Sequence, residues 1–161
     1  ERSGWRIIAS RPSLIVPDAA RSTTAVCRKI IPTLSHLFTM PRYARRLVAT
    51  KEYFPFGLWA LREDMEQYSE ENCAAAEAMF DRLLERLTTL GESAPEAAKL
   101  AAFREAVVAL NEFNLAVGGN FIETSEAEEV VELCNVVART AGLDPARYAG
   151  GEGPASLWRD W

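Results

Sequence analysis

A chain of 161 residues has the length of one domain with a full hydrophobic core, with or without an arm. Its apolar and charged fractions, 48% and 25%, are ordinary for a globular chain. Nothing approaches the roughly 20 uninterrupted apolar residues of a membrane helix, and the longest apolar patch, Tyr53 to Leu61, is interrupted by Pro55 and Gly57.

The net charge of −5 hides an asymmetry. Residues 1–51 hold ten basic side chains against Glu1 and Asp18, a balance of +8. Residues 52–161 hold the other 8 basic and 21 acidic groups, a balance of −13. Such a split points to an arm on a body, or to a basic segment that meets an acidic partner. The expected fold is all-α, an antiparallel helical bundle with an extended basic N-terminal arm. The expected divisions are 1–51 for the arm, 52–149 for the bundle and 150–161 for a flexible aromatic tail.

Glu1 is not an initiator residue, so we expect either processing or residues upstream of it. Residues 1–51 are Arg-rich, rich in Ser and Thr and almost free of acids, which suits an organellar transit peptide or an ordinary basic extension. Trp5, Ile7, Ile8, Leu14, Ile15 and Val16 predict two extended pieces around Pro12. They are too short to stand unpaired and must lie on the body or on another chain. Asp18 can cap a helix from Ala19 to about Phe38, with a kink near Ile31 where Pro32 intrudes. Pro41 opens a short helix from Arg42 to about Thr50. Its basic face of Arg42, Arg45 and Arg46 is a solvated surface or a contact for an anionic partner, lipid or RNA included.

Leu58, Leu61, Met65 and Tyr68 then recur three and four apart and predict a helix from about Phe56. It runs into the strongest amphipathic stretch of the chain, Ser69–Leu90, whose Ala76, Met79, Phe80, Leu83, Leu84, Leu87 and Leu90 mark one face. One long helix bent near Ser69 is expected. A fresh start capped by Ser69, with Glu70 and Glu71 in its first turn, is the alternative.

Gly91 ends that helix and Pro95 opens the next, antiparallel to it because the connection is short. Leu100, Phe103, Val107, Leu110, Asn114 and Val117 form its seam, with Asn114 the polar member. Gly118-Gly119 stops it. Ser125 and Glu128 have capping-box spacing, and Glu126, Glu128 and Glu129 crowd the positive end of the helix dipole. Val130, Leu133, Cys134, Val137 and Ala141 supply the buried stripe of this third helix, and Gly142 terminates it. Asp144-Pro145 starts one more turn to about Tyr148. Gly150, Gly151, Gly153 and Pro154 read as a hinge. Trp158 and Trp161 beyond it must dock somewhere, on the body or on a neighbour.

Several chemistries find no residues to carry them. His36 is the sole histidine and lacks a Glu three residues before it, which excludes the di-metal bundle site. Cys27, Cys73 and Cys134 are far apart, form no zinc spacing or disulfide framework, and read as buried apolar residues. There is no G-x-S-x-G serine and no P-loop lysine. Carboxylate pairs such as Glu63 with Glu66, or Glu128 with Glu132, read as a solvated acidic face. No catalytic, cofactor-binding or metal-binding residue is expected, and a helical enzyme with a cryptic site is the weakest reading.

The function expected is a non-catalytic accessory subunit of a multiprotein assembly. The Arg-biased start leans it towards the mitochondrion and a respiratory or ATP-synthase-type complex. Its contacts with other protein subunits would fall on Arg42, Arg45, Arg46, Trp158 and Trp161. The alternative is a free-standing binding or inhibitor protein with an acidic helical surface.

Overall fold

The computed structural model describes residues 40–62 and 65–161. The extended pieces about Pro12, the helix from Ala19, Cys27 and His36 lie outside the described residues. Those described are all-helical, and their helices pack together as a bundle.

Helix α1 (Arg42–Ala49) opens behind Pro41, whose carbonyl accepts the amide of Arg45 at 3.1 Å. A proline loses nothing here, because the first amides of a helix have no intrahelical partner. Tyr43, Ala44 and Leu47 are buried, and the three arginines stay outside. Thr50 is buried too and donates Oγ1 to the Leu47 carbonyl at 2.6 Å. Residues 42–50 therefore belong to the body and not to an arm ending at residue 51. The basic count masked the apolar side that Tyr43 and Leu47 supply.

After a 3₁₀ turn (Thr50–Tyr53), Pro55 leads into α2 (Phe56–Trp59), a single turn. Its ladder tightens at once: Leu61 donates to the Leu58 carbonyl at 3.2 Å and Arg62 to the Trp59 carbonyl at 3.0 Å. The continuous helix from Phe56 to Leu90 does not form. Instead a second 3₁₀ turn (Glu66–Tyr68) delivers Ser69, whose hydroxyl accepts the amide of Asn72 at 3.2 Å and starts α3 (Glu70–Leu90) afresh.

The break has a packing cause. Phe56 and Trp59 are fully buried, with ring centroids 5.1 Å apart. Phe56 meets Phe80 of α3 at 5.5 Å, and Trp59 meets Tyr68 at 5.8 Å and Phe121 at 5.5 Å. Phe121 meets Phe113 at 5.1 Å. Such pairs contribute about 0.5–1.5 kcal/mol each beyond their burial. A straight helix would carry Phe56 and Trp59 away from this cluster.

In α3 the buried residues are Cys73, Ala76, Phe80, Leu83, Leu84 and Leu87, the stripe read from the sequence. Gly91, at φ 84°, closes it. Helix α4 (Glu96–Ala116) returns along α3 with Ala102, Phe103, Ala106, Val107 and Leu110 inside. Asn114, the polar seam residue, accepts at Oδ1 the amides of Phe121 at 2.9 Å and Ile122 at 3.0 Å. Those bonds hold the loop that carries Phe121 into the core.

Helix α5 (Thr124–Thr140) buries Val130, Leu133, Cys134, Val137 and Ala138. Its cap is not Ser125 with Glu128. With Phe121 and Ile122 anchored, Glu123 falls at the cap and Glu126 at the third position, where Glu126 Oε2 accepts the Glu123 amide at 3.3 Å.

The other end of α5 is held by a buried lysine. Lys99 of α4 donates Nζ to the Ala141 carbonyl at 2.8 Å and to the Glu92 carbonyl at 2.6 Å. A cation suits this place, since the carbonyls at a helix C-terminus present partial negative charge.

Residues 150–161 do not hang free. Tyr148 donates its hydroxyl to Glu96 at the start of α4, at 2.8 Å. Further along α4, Asn111 donates to the Trp158 carbonyl at 2.8 Å and accepts the Asp160 amide at 3.3 Å. Gly153, read as a hinge, is a close approach: a Cβ built there would lie 1.8 Å from Oδ1 of Asn135 on α5. The segment is a strap of 3₁₀ turns along the bundle.

Because α1 is part of the core, a chain of residues 40–161 is expected to fold cooperatively. One of residues 52–161 is expected to be less stable by about 3–6 kcal/mol, the burial of Tyr43 and Leu47 at about 1.5–3 kcal/mol each. Guanidinium unfolding followed by circular dichroism compares the two, and equal midpoints would remove α1 from the body.

Candidate functional site

The loop between α2 and α3 carries two apolar sets. Phe56 and Trp59 face inward. Leu58 and Leu61 stand on the opposite side and are 71% and 75% exposed, and Met65 is 42% exposed. At 100° per residue, the bearing of Phe56 and Trp59 is well over a quarter turn from that of Leu58 and Leu61. One turn of helix cannot bury both. Of Leu58, Leu61, Met65 and Tyr68, whose spacing predicted a helix, only Tyr68 is buried. Met65 edges a shallow hollow that Ala60, Arg62, Tyr68 and Glu70 also line.

Beneath this surface lies an ion pair. Glu126 of α5 is 1% exposed and binds Arg62 through Oε1, which also accepts the Ser125 hydroxyl at 2.9 Å. The Arg62 guanidinium lies 4.8 Å from the centre of the Tyr68 ring and 6.0 Å from that of Trp59. Trp59 donates Nε1 to Glu129 at 2.6 Å. Two residues of α5, one turn apart, thus fasten the C-terminal end of α2 and the turn that follows it.

The electrostatics make this a fixture. Burial alone would raise the Glu126 carboxyl. The Arg62 hydrogen bond, a backbone amide and the Ser125 hydroxyl outweigh it and hold the group below the usual carboxylate range. Burial first, then the Glu126 charge, pushes the Tyr68 phenol up to about 12. Burial also pushes Cys73 up to about 11 and Cys134 up to about 12. The shifts of Glu126, Tyr68, Cys73 and Cys134 all run away from neutrality. Among the described residues no three His, Cys, Asp or Glu side chains gather as metal ligands. No helix among them is long and apolar enough to cross a membrane.

The contact residues read from the sequence take other places. Arg42 and Arg45 are exposed on the outer side of α1, while Arg46 pairs with Glu92. Trp158 and Trp161 are half-buried against the core of their own chain, and Arg159 lies 5.7 Å over the Trp161 ring. Of the arginines only Arg46 answers to the loop after α3, while the tryptophan segment answers to α4. Glu128 and Glu132 are exposed, as an acidic face requires, whereas Glu126 is not. Glu63 lies outside the described residues. The sequence did carry a signal for the exposed turn, two apolar stripes competing for one turn at Phe56–Leu61. For Glu126 there was only its place among three similar acids.

Comparison with family models, with curated proteins and with solved structures gives no match.

Replacing Arg62 by Met strands the buried Glu126 charge and is expected to cost about 3–5 kcal/mol. Adding Glu126→Gln to that variant is expected to restore much of the loss, since Gln still caps α5. Urea titrations measure both, and an unperturbed Arg62→Met protein would deny the pair its role. The acid limb follows by linkage. Glu126 titrates lower in the folded chain than in the unfolded one, whose Glu pKa is about 4.3. Its contribution is complete above that value and is lost as pH falls through the folded pKa. Glu126→Gln is therefore expected to flatten the loss of stability below about pH 4. In a Cys27→Ser chain, Ellman's reagent is expected to find no thiol while folded and two, Cys73 and Cys134, in denaturant.

Proposed function

We propose that this chain is a non-catalytic accessory subunit that binds another protein within a larger assembly. The observation that carries the reading is the exposed turn of Leu58 and Leu61 on a base fixed by Arg62, Glu126, Trp59 and Glu129. These leucines stand in water on a turn whose other side is packed into the core. An apolar surface kept in one shape is suited to a partner.

The exposed arginines Arg42 and Arg45 offer a second contact, for an anionic patch on such a partner. Placement in a mitochondrial complex of respiratory or ATP-synthase type rests on the composition of residues 1–51 alone. The acidic face of α5, with Glu128, Glu129 and Glu132 exposed, favours a free-standing binding or inhibitor protein as the second reading.

Size-exclusion of a native extract, with the chain followed by antibody, separates these. An accessory subunit is expected to elute in one defined fraction several times the size of a single chain. Elution as a single chain would overturn the assembly and leave the inhibitor reading. Fractionation of organelles in the same extract tests the mitochondrial placement.

A further inference from the structure

We infer that the turn of Leu58, Leu61 and Met65 seats a basic, amphipathic segment of a partner protein. The inference rests on the protein-binding reading above and specifies the chemistry of what binds. Three observations converge on it. The first is exposure: these side chains are 71%, 75% and 42% open, and Leu58 and Leu61 are adjacent on one side of the same turn. The second is fixity, since the backbone beneath is held by the aromatic cluster and by the pair of Arg62 with Glu126. The seat exists before anything binds, so little ordering is required on this side.

The third observation is charge. Glu66 and Glu70 line the hollow that Met65 edges. Both of these carboxylates are exposed. Arg62 is occupied by Glu126. The rim beside Met65 is thus negative.

That sign selects the occupant. Two copies meeting through this turn would bring acidic rim against acidic rim, on bodies whose balance over residues 52–161 is −13 each. An anionic membrane or nucleic acid is repelled for the same reason. A segment with Leu, Phe or Met at helical spacing and Lys or Arg along its edges satisfies both parts, the apolar side on the leucines and the cations on Glu66 and Glu70.

The probe is a fluorescein-labelled leucine–lysine amphipathic peptide, with a matching leucine–glutamate peptide as control, read by fluorescence anisotropy. The lysine peptide is expected to bind at least about tenfold more tightly than the control, and less tightly as salt is added. Leu58→Ser/Leu61→Ser is expected to weaken it at least about tenfold while leaving the thermal midpoint unchanged, since both side chains are already in water. Glu66→Lys/Glu70→Lys is expected to weaken it similarly. Equal binding by the leucine variant overturns the inference, as does dimerisation through the turn in sedimentation equilibrium. In the native extract, an assembly that retains the leucine variant overturns this seat and leaves the subunit reading standing. A wild-type chain found alone overturns the subunit reading instead, and the peptide measurement still decides the seat.

Discussion

Phe56 and Trp59 stand one turn apart and point the same way, and the surface of this protein follows from that. Between them they reach α3, the loop before α5 and, through Phe121, α4. No leucine could join so many elements, so the larger rings take the inside of the turn. Leu58 and Leu61 are left outside by geometry, since a single turn has only one inner side. The exposed patch is thus a consequence of how the core closes. It persists for as long as the core does.

The charged groups below the turn serve the same closure. A buried carboxylate is costly unless its lone pairs and its charge are both answered. Glu126 meets that demand with Arg62, Ser125 and the amide of Glu123. In doing so it joins the beginning of α5 to a loop more than sixty residues earlier in the chain. Lys99 does the corresponding work elsewhere with carbonyls in place of a carboxylate. Polar groups in this bundle mark junctions between elements, while the apolar stripes fill the space between them.

The stripes were the legible part. In α3, α4 and α5 the three-and-four spacing identified the buried side because each helix carries one dominant apolar face. The all-helical fold was legible for the same reason. Reading failed where two faces compete, at Phe56–Leu61, because periodicity weighs leucine and tryptophan alike and packing does not. It failed at Glu126 because nothing local separates it from Glu128 and Glu129; the distinction comes from Arg62, which only the fold brings near. It failed at residues 42–50 because arginines on one side of α1 hid Tyr43 and Leu47 on the other. Trp158 and Trp161 were rightly expected to dock, and composition could not say that Asn111 would hold their backbone.

Helix α5 is moored by unlike chemistry at its two ends. At its front the mooring includes a carboxylate, which acid can discharge. At its rear it consists of peptide oxygens, which acid leaves alone. Acid that discharges Glu126 therefore weakens the front mooring and spares the rear one. The leucine turn is bolted to the front end. The aromatic contacts of Phe56 and Trp59 hold the turn from the other side, and they carry no charge for acid to remove.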